Sequence, residues 1–266
     1  MPTSRKIFVF SAVALACHFA ALALHSTIAS NIIEFVLTVL VATGCFEAAG
    51  RAAGYARRFW RLIGAAFAIY AVGQAMATYY DSVLHASFEV WWPSDILFLF
   101  HVAPMAIVLF LGDDSADSRV YRWERWLDFL QVGIVALSAY FFFLYLPLLL
   151  PHSRESIDTL YWHVNTWRGA LIAVAFVLRA TLTNSRLVKS LFGRVAIFLV
   201  IFAVCETVYL YAEIWWHVPF GTWYELLWTI PRTLMIWLAA SWVAPREPEP
   251  ALKESSSESS DRKSVV

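Results

Sequence analysis

Runs of about 20 mostly apolar residues, the length that crosses a bilayer as an α-helix, recur along this chain between short polar breaks. In lipid every backbone N–H and C=O must be bonded internally, which leaves only helices and closed barrels. Apolar runs this long read as helices. Eight segments qualify: Ile7 to His25, Asn31 to Gly50, Leu62 to Tyr80, Ser94 to Gly112, Leu127 to Leu146, Leu160 to Thr183, Val195 to Glu213 and Trp223 to Val243. The fold class expected is therefore all-α, a polytopic membrane protein with eight transmembrane helices in one bundle over residues 1–243. Arg5 and Lys6 precede the first run as they would in a signal peptide. That run is long for a signal core and lacks a clear A-x-A cleavage site, so it reads as a retained helix. Composition agrees, with 60% hydrophobic and only 15% charged residues against about 25% charged in ordinary soluble domains. A soluble fold of this composition would leave too much apolar surface in water, and the net charge of zero gives no reason to expect a nucleic-acid partner.

Sorting the charges by segment gives the orientation. With the amino terminus in the cytoplasm, 16 of the 20 basic residues fall on the cytoplasmic side, Arg51, Arg57, Arg58, Arg61, Arg186, Lys189 and Arg194 among them. Only Arg154 falls in an outside loop, and Arg168, Arg179 and Arg232 lie within spans. This asymmetry is the positive-inside pattern for an even number of helices with both termini cytoplasmic, and the location expected is a bacterial cytoplasmic (inner) membrane. Trp91, Trp92, Trp162, Trp167, Trp215, Trp216, Trp223 and Tyr224 gather at the opposite helix ends, as an interfacial aromatic belt does. Residues 244–266 change abruptly to proline, serine and mixed charge. Such a segment cannot bury a core and reads as a disordered cytoplasmic tail.

Ionisable side chains inside a membrane cost about 2.5–3.5 kcal/mol at a helix centre and are functional candidates by default. Glu34, Asp81, Asp95, Arg168, Glu206, Glu213, Glu225 and Arg232 fall in the middle or outer half of the expected bundle. Helical spacing groups them further. Tyr70, Gln74, Thr78 and Asp81 form one stripe on the third helix; Glu206, Tyr209 and Glu213 share a face of the seventh; Glu225, Trp228 and Arg232 share a face of the eighth. Lipid satisfies none of these groups, so the stripes are expected to turn toward one another and line an outward-opening polar pocket. The ligand-binding set expected is Glu34, Tyr70, Gln74, Asp81, Asp95, Arg168, Glu206, Tyr209, Glu213, Trp228 and Arg232. The same residues are also those of a buried hydrogen-bond network, with Arg232–Glu206 and Arg168–Asp95 as structural ion pairs. Asp95 has a local role open to it as well, an acid in the first turn of a helix opened by Pro93.

Other chemistry finds less support. His18 and His101 lie within spans and face a haem or, more commonly, a packing role; no histidine pair has the HExxH spacing. Asp81, His85 and Glu89 are four residues apart and read as an ordinary polar loop. Cys17, Cys45 and Cys205 are widely spaced within apolar helices and make neither a disulfide framework nor a zinc site. No lysine lies within a span, which removes retinal-type Schiff-base chemistry. No catalytic residues, cofactor or metal are expected.

The stretch Trp92-Pro-Ser-Asp-Ile-Leu-Phe-Leu-Phe100 and the later Leu127-Asp-Phe-Leu-Gln-Val-Gly to Leu-Pro147 resemble the multi-helix membrane sensor region at the amino terminus of bacterial diguanylate cyclases and sensor histidine kinases. Leu178-Arg-Ala-Thr-Leu-Thr-Asn-Ser-Arg186 and Thr222-Trp-Tyr-Glu-Leu-Leu-Trp228 are similar as well. The resemblance implies a receptor whose helix arrangement answers a signal and drives a cytoplasmic kinase or cyclase, with Asp95 and Asp128 at matching acidic positions. No GGDEF-type loop, phosphoacceptor helix or nucleotide lid follows the eighth span, so the expectation is either a free-standing sensor acting through a partner or an output domain lost or cut from this chain. The function expected is a non-enzymatic sensor binding a small molecule or lipid, with homodimerisation open. The alternatives are a small-solute transporter and, third, a membrane enzyme acting on lipid.

Overall fold

The computed structural model describes residues 3–84, 93–111, 154–218 and 221–244, and every regular element among them is helical. In chain order these are α1 (Thr3–Ala23), α2 (Thr27–Arg51), α3 (Gly54–Ser82), α4 (Pro93–Phe100), α5 (Val102–Leu109), α6 (Arg154–Leu182), α7 (Arg186–Trp216), a 3₁₀ turn (Trp223–Glu225) and α8 (Leu226–Ala240). Four stretches are long and apolar enough to cross a membrane: Arg5–Ala23, Thr27–Arg51, Gly54–Ser82 and Arg186–Glu213. That is compatible with a membrane protein. The expected span Leu127 to Leu146 with Asp128, the tail from residue 245, and His85, Glu89, Trp91 and Trp92 lie outside the described residues.

The helices start and stop where local chemistry dictates. Ser26 caps α2 by accepting the Ala29 N–H, and Ser185 caps α7 by accepting the Val188 N–H, satisfying backbone donors that a first helical turn leaves open. At the other ends, α1 and α7 are closed by left-handed histidines, His25 (φ 53) and His217 (φ 49). A left-handed residue folds the following N–H groups back onto the last carbonyls; here Ser26 N bonds Ala21 O and Val218 N bonds Ala212 O.

One apolar run expected as a single span, Ser94 to Gly112, is two short helices, α4 and α5, separated at His101. Pro104 is the cause. It has no N–H to offer the Phe100 carbonyl four residues back, and its ring crowds that carbonyl.

The outward faces are apolar as well as the core. On α2 the apolar Ile28, Ile32, Val36, Val39 and Phe46 face outward, while Ser30, Glu34 and Thr38 are buried beside Leu37 and Val41. On α7, Ile197, Val200, Val204, Val208 and Tyr211 are exposed, while Glu206 is buried on the helix that also buries Phe192 and Phe198. An apolar exterior with the polar groups kept inside is the arrangement lipid favours, because only the bundle interior can satisfy them.

Small residues set the close approaches. At Gly44 an added Cβ would lie 3.7 Å from the Ile236 carbonyl oxygen and 3.8 Å from the Ala239 Cβ, so α2 and α8 are nearly in backbone contact, as small residues permit in membrane bundles.

The short α8 is held at both ends. At its carboxyl end Arg51 of α2 donates through Nη2 to the Ala239 and Ala240 carbonyls (3.1 and 3.0 Å). Arg194 of α7 donates through Nη1 to the Leu238 carbonyl and to Ser241 Oγ (3.0 and 2.9 Å). Trp237 Nε1 adds a bond to Ser11 Oγ of α1 (3.0 Å). Two cations from neighbouring helices thus add donors at the terminal carbonyls of α8, where helical hydrogen bonding runs out. We expect Arg51→Ala and Arg194→Ala each to lower stability by about 1 kcal/mol, read as earlier unfolding in a detergent or denaturant titration, with exposed Arg61→Ala as an unaffected control.

Candidate functional site

The amino-terminal half of α8 meets α1, α2 and α3 in a buried polar cluster. Sequence places it there: Glu225, Thr229 and Arg232 recur at intervals of four and three residues, which puts them on one helix face. Ser30 and Glu34, four apart on α2, meet that face, and His18 of α1 and Tyr70 of α3 close it.

An ion pair forms one half of the cluster. Arg232 Nη1 donates to Glu34 Oε2 at 3.1 Å, and Nη2 donates to Tyr70 OH at 3.1 Å. Arg232 is 2% exposed and Glu34 8%. The guanidinium carbon also stands 5.3 Å from the Tyr70 ring centre, and that ring is backed by Phe98 (4.8 Å) and His101 (4.9 Å, edge-on). The aromatic wall excludes water from the pair and fixes the tyrosine that receives its second bond.

A hydroxyl and imidazole chain forms the other half. Ser30 Oγ donates a short hydrogen bond to Glu225 Oε2, and Glu225 Oε1 accepts the Gly221 N–H (2.5 Å). His18 Nε2 is 2.6 Å from Ser30 Oγ, and its Nδ1 is 3.0 Å from Thr229 Oγ1. Because Ser30 spends its proton on Glu225, it accepts from His18 Nε2–H, and Nδ1 meets the Thr229 hydroxyl. The order is not that of a hydrolytic triad, in which the acid orients the histidine and the histidine activates the serine. Here the serine lies between the other two.

The remaining expected site residues fall elsewhere. Asp81 accepts from Asn31 Nδ2 (2.5 Å), tying the end of α3 to the start of α2. Gln74 is half-buried on α3 and makes no side-chain hydrogen bond among the described residues. Asp95 is half-buried in the first turn of α4. Arg168 of α6 donates to the Phe98 carbonyl (3.0 Å). Glu206 of α7 faces Arg168, and its Oε2 lies 2.9 Å from where a Cβ on Gly169 would stand; only glycine fits there without moving the carboxylate. Tyr209 packs edge-on against Trp228 (5.2 Å), which also meets Phe202, and Glu213 is half-buried one turn further along α7.

The expected set is thus divided, with Glu34, Tyr70 and Arg232 in the cluster and the acids of α7 apart from it. The ion-pair partner of Arg232 is Glu34, in place of the Glu206 pairing open in the sequence, because α8 turns its polar face to α2. His18 and His101 do not face each other as a haem pair; each ring is engaged separately. The sequence alone placed Glu225 in the polar stripe of the eighth span but not in the ligand-binding set, and left His18, Ser30 and Thr229 out of the site. Their signal was spacing, since Ser30 precedes Glu34 by one turn and Thr229 lies between Glu225 and Arg232 on one face. Neither a family model nor a curated protein nor a solved structure matches the chain.

Removing one member of a buried ion pair strands the other, at a cost of about 3–5 kcal/mol, whereas replacing both with apolar groups is often neutral or better. We expect Arg232→Met to destabilise the protein by that amount and Glu34→Leu/Arg232→Met to recover most of it, measured by a double-mutant cycle on unfolding. Tyr70→Phe, which removes one hydrogen bond to a charged group, is expected to cost about 1.5–3 kcal/mol.

Proposed function

We propose that the chain is a membrane-embedded sensor module in which α8 is the moving part. The observation that carries this reading is the pair of grips on one short helix: the polar cluster holds its amino-terminal half, and Arg51 and Arg194 hold its carboxyl end. A small molecule or lipid that prefers one arrangement of the cluster shifts the helix population by its differential affinity. The shift is delivered to the end of α8 from which the chain continues to residue 266.

The full reading has eight transmembrane helices in a bacterial inner membrane, with both termini cytoplasmic. The basic helix ends, among them Arg51 and Arg194, then face the cytoplasm, and the cluster faces outward. A cytoplasmic kinase or cyclase is the partner. No step of covalent chemistry is assigned to the chain.

The test is a distance measurement. Spin labels at Phe46 and Val243, both exposed, are placed in a background with the three cysteines replaced and the protein is reconstituted in nanodiscs. Glu225→Gln and Arg232→Met are each expected to move the mean distance by about 1–2 Å, the scale of helix shifts in switching proteins. An unchanged distribution in both folded variants ends the sensor reading. Solute uptake by proteoliposomes carrying the wild-type chain would instead make it a transporter.

A further inference from the structure

We propose that His18, Glu34 and Glu225 form a binding site for a divalent transition-metal ion of the Zn2+ type where α1, α2 and α8 meet. The inference rests on the geometry of these side chains and stands whether or not α8 transmits a signal.

Three observations converge on it. First, one ligating atom from each residue lies within 4.8 Å of the other two, and His18 Nε2 and Glu225 Oε2 are 3.8 Å apart. Zinc bonds of about 2.0–2.2 Å to nitrogen and oxygen place tetrahedral donors roughly 3.4 Å apart. The donors are therefore within a small side-chain adjustment of coordination.

Second, each ligand is anchored through an atom other than the one it offers. Thr229 Oγ1 meets Nδ1 of His18, and Gly221 N–H holds Oε1 of Glu225. The atoms these two offer, Nε2 and Oε2, are both bonded to Ser30 Oγ, which an ion between them would engage in place of those bonds. Arg232 holds Oε2 of Glu34, leaving that carboxylate its second oxygen. An outer shell that fixes the non-ligating atoms is what orients metal ligands and sets the imidazole tautomer. On binding, His18 carries its proton on Nδ1 and donates it to Thr229 Oγ1.

Third, the charge is incomplete. Glu34, Glu225 and Arg232 are 8%, 6% and 2% exposed and His18 is fully buried. Acids outnumber the guanidinium two to one here, in surroundings where an unpaired charge is costly. A cation answers that deficit, and the imidazole nitrogen selects a borderline ion over Mg2+ or Ca2+, which take oxygen ligands. Ser30 Oγ, between His18 and Glu225, is placed to be the fourth donor.

The experiment uses the full-length protein in detergent, stripped with chelator and titrated with Co2+ as a spectroscopic stand-in for zinc. Expected are visible ligand-field bands of low-symmetry four-coordinate cobalt at one ion per chain, removed by added Zn2+. His18→Gln and Glu225→Gln are expected to abolish the bands. Thr229→Val, which keeps all three ligands and removes only the anchor of the ring, is expected to weaken binding 10–100-fold. Correct folding of each variant is checked by circular dichroism. Absence of the bands in the wild-type protein, or bands that persist at full strength in folded His18→Gln, overturns the proposal. So does a cobalt-free protein whose stability rises on acidification in a His18-dependent way, because the missing positive charge is then a proton.

Discussion

A guanidinium buried in an apolar bundle has to be answered, and the contact between Arg232 and Glu34 answers it. Much of the remaining arrangement follows from that requirement. Pairing the two rotates α8 so that its polar face meets α2, and the second guanidinium bond draws in Tyr70 from α3. Phe98 and His101 then back the tyrosine, which gives the break at Pro104 a place in the packing. A buried pair of this kind adds little net stability against an apolar replacement. Its contribution is register, since any other rotation of α8 would leave a charge facing hydrocarbon.

The same helix explains the long polar chain beside the ion pair. Once Arg232 faces α2, Thr229 and Glu225 lie above it on the same face and meet His18 and Ser30. Every side chain of this polar chain has a hydrogen-bond partner, and satisfied buried networks of this kind rigidify what they join. At the far end of α8, two arginines add donors at carbonyls where helical hydrogen bonding runs out. Small residues such as Gly44 keep the intervening backbone close. A helix of 15 residues is thus tied to four neighbours while remaining short enough to move as one piece, the property the proposed sensing role requires.

Much of the fold was legible in residue order. Apolar runs predicted helices, and helix is described within seven of the eight expected segments, in Ser94 to Gly112 as two short pieces; four of the described stretches are long and apolar enough to cross a membrane. Their ends extend further than the apolar runs because Ser26 and Ser185 cap helices that continue through polar residues. The break at His101 was written in Pro104, which interrupts the fourth apolar run. Glu34, Tyr70 and Arg232 were singled out because ionisable or polar groups in apolar helices are costly. His18, Ser30 and Thr229 were not, because a lone histidine and single hydroxyls on apolar helices read as packing until their partners are known.

Residue order alone specified that the chain is helical, that its helices carry long apolar faces, and that basic residues cluster in alternate breaks between the apolar runs. Periodicity and charge are properties of the chain read one residue at a time, so they survive without tertiary information. Only the tertiary structure decided which charge meets which. Helix order and rotation place Arg232 against Glu34 and leave Glu206 to Arg168, and they gather His18, Ser30 and Glu225 from positions 12 and 195 residues apart. Contacts at such separations depend on how the helices pack, and no local pattern encodes them.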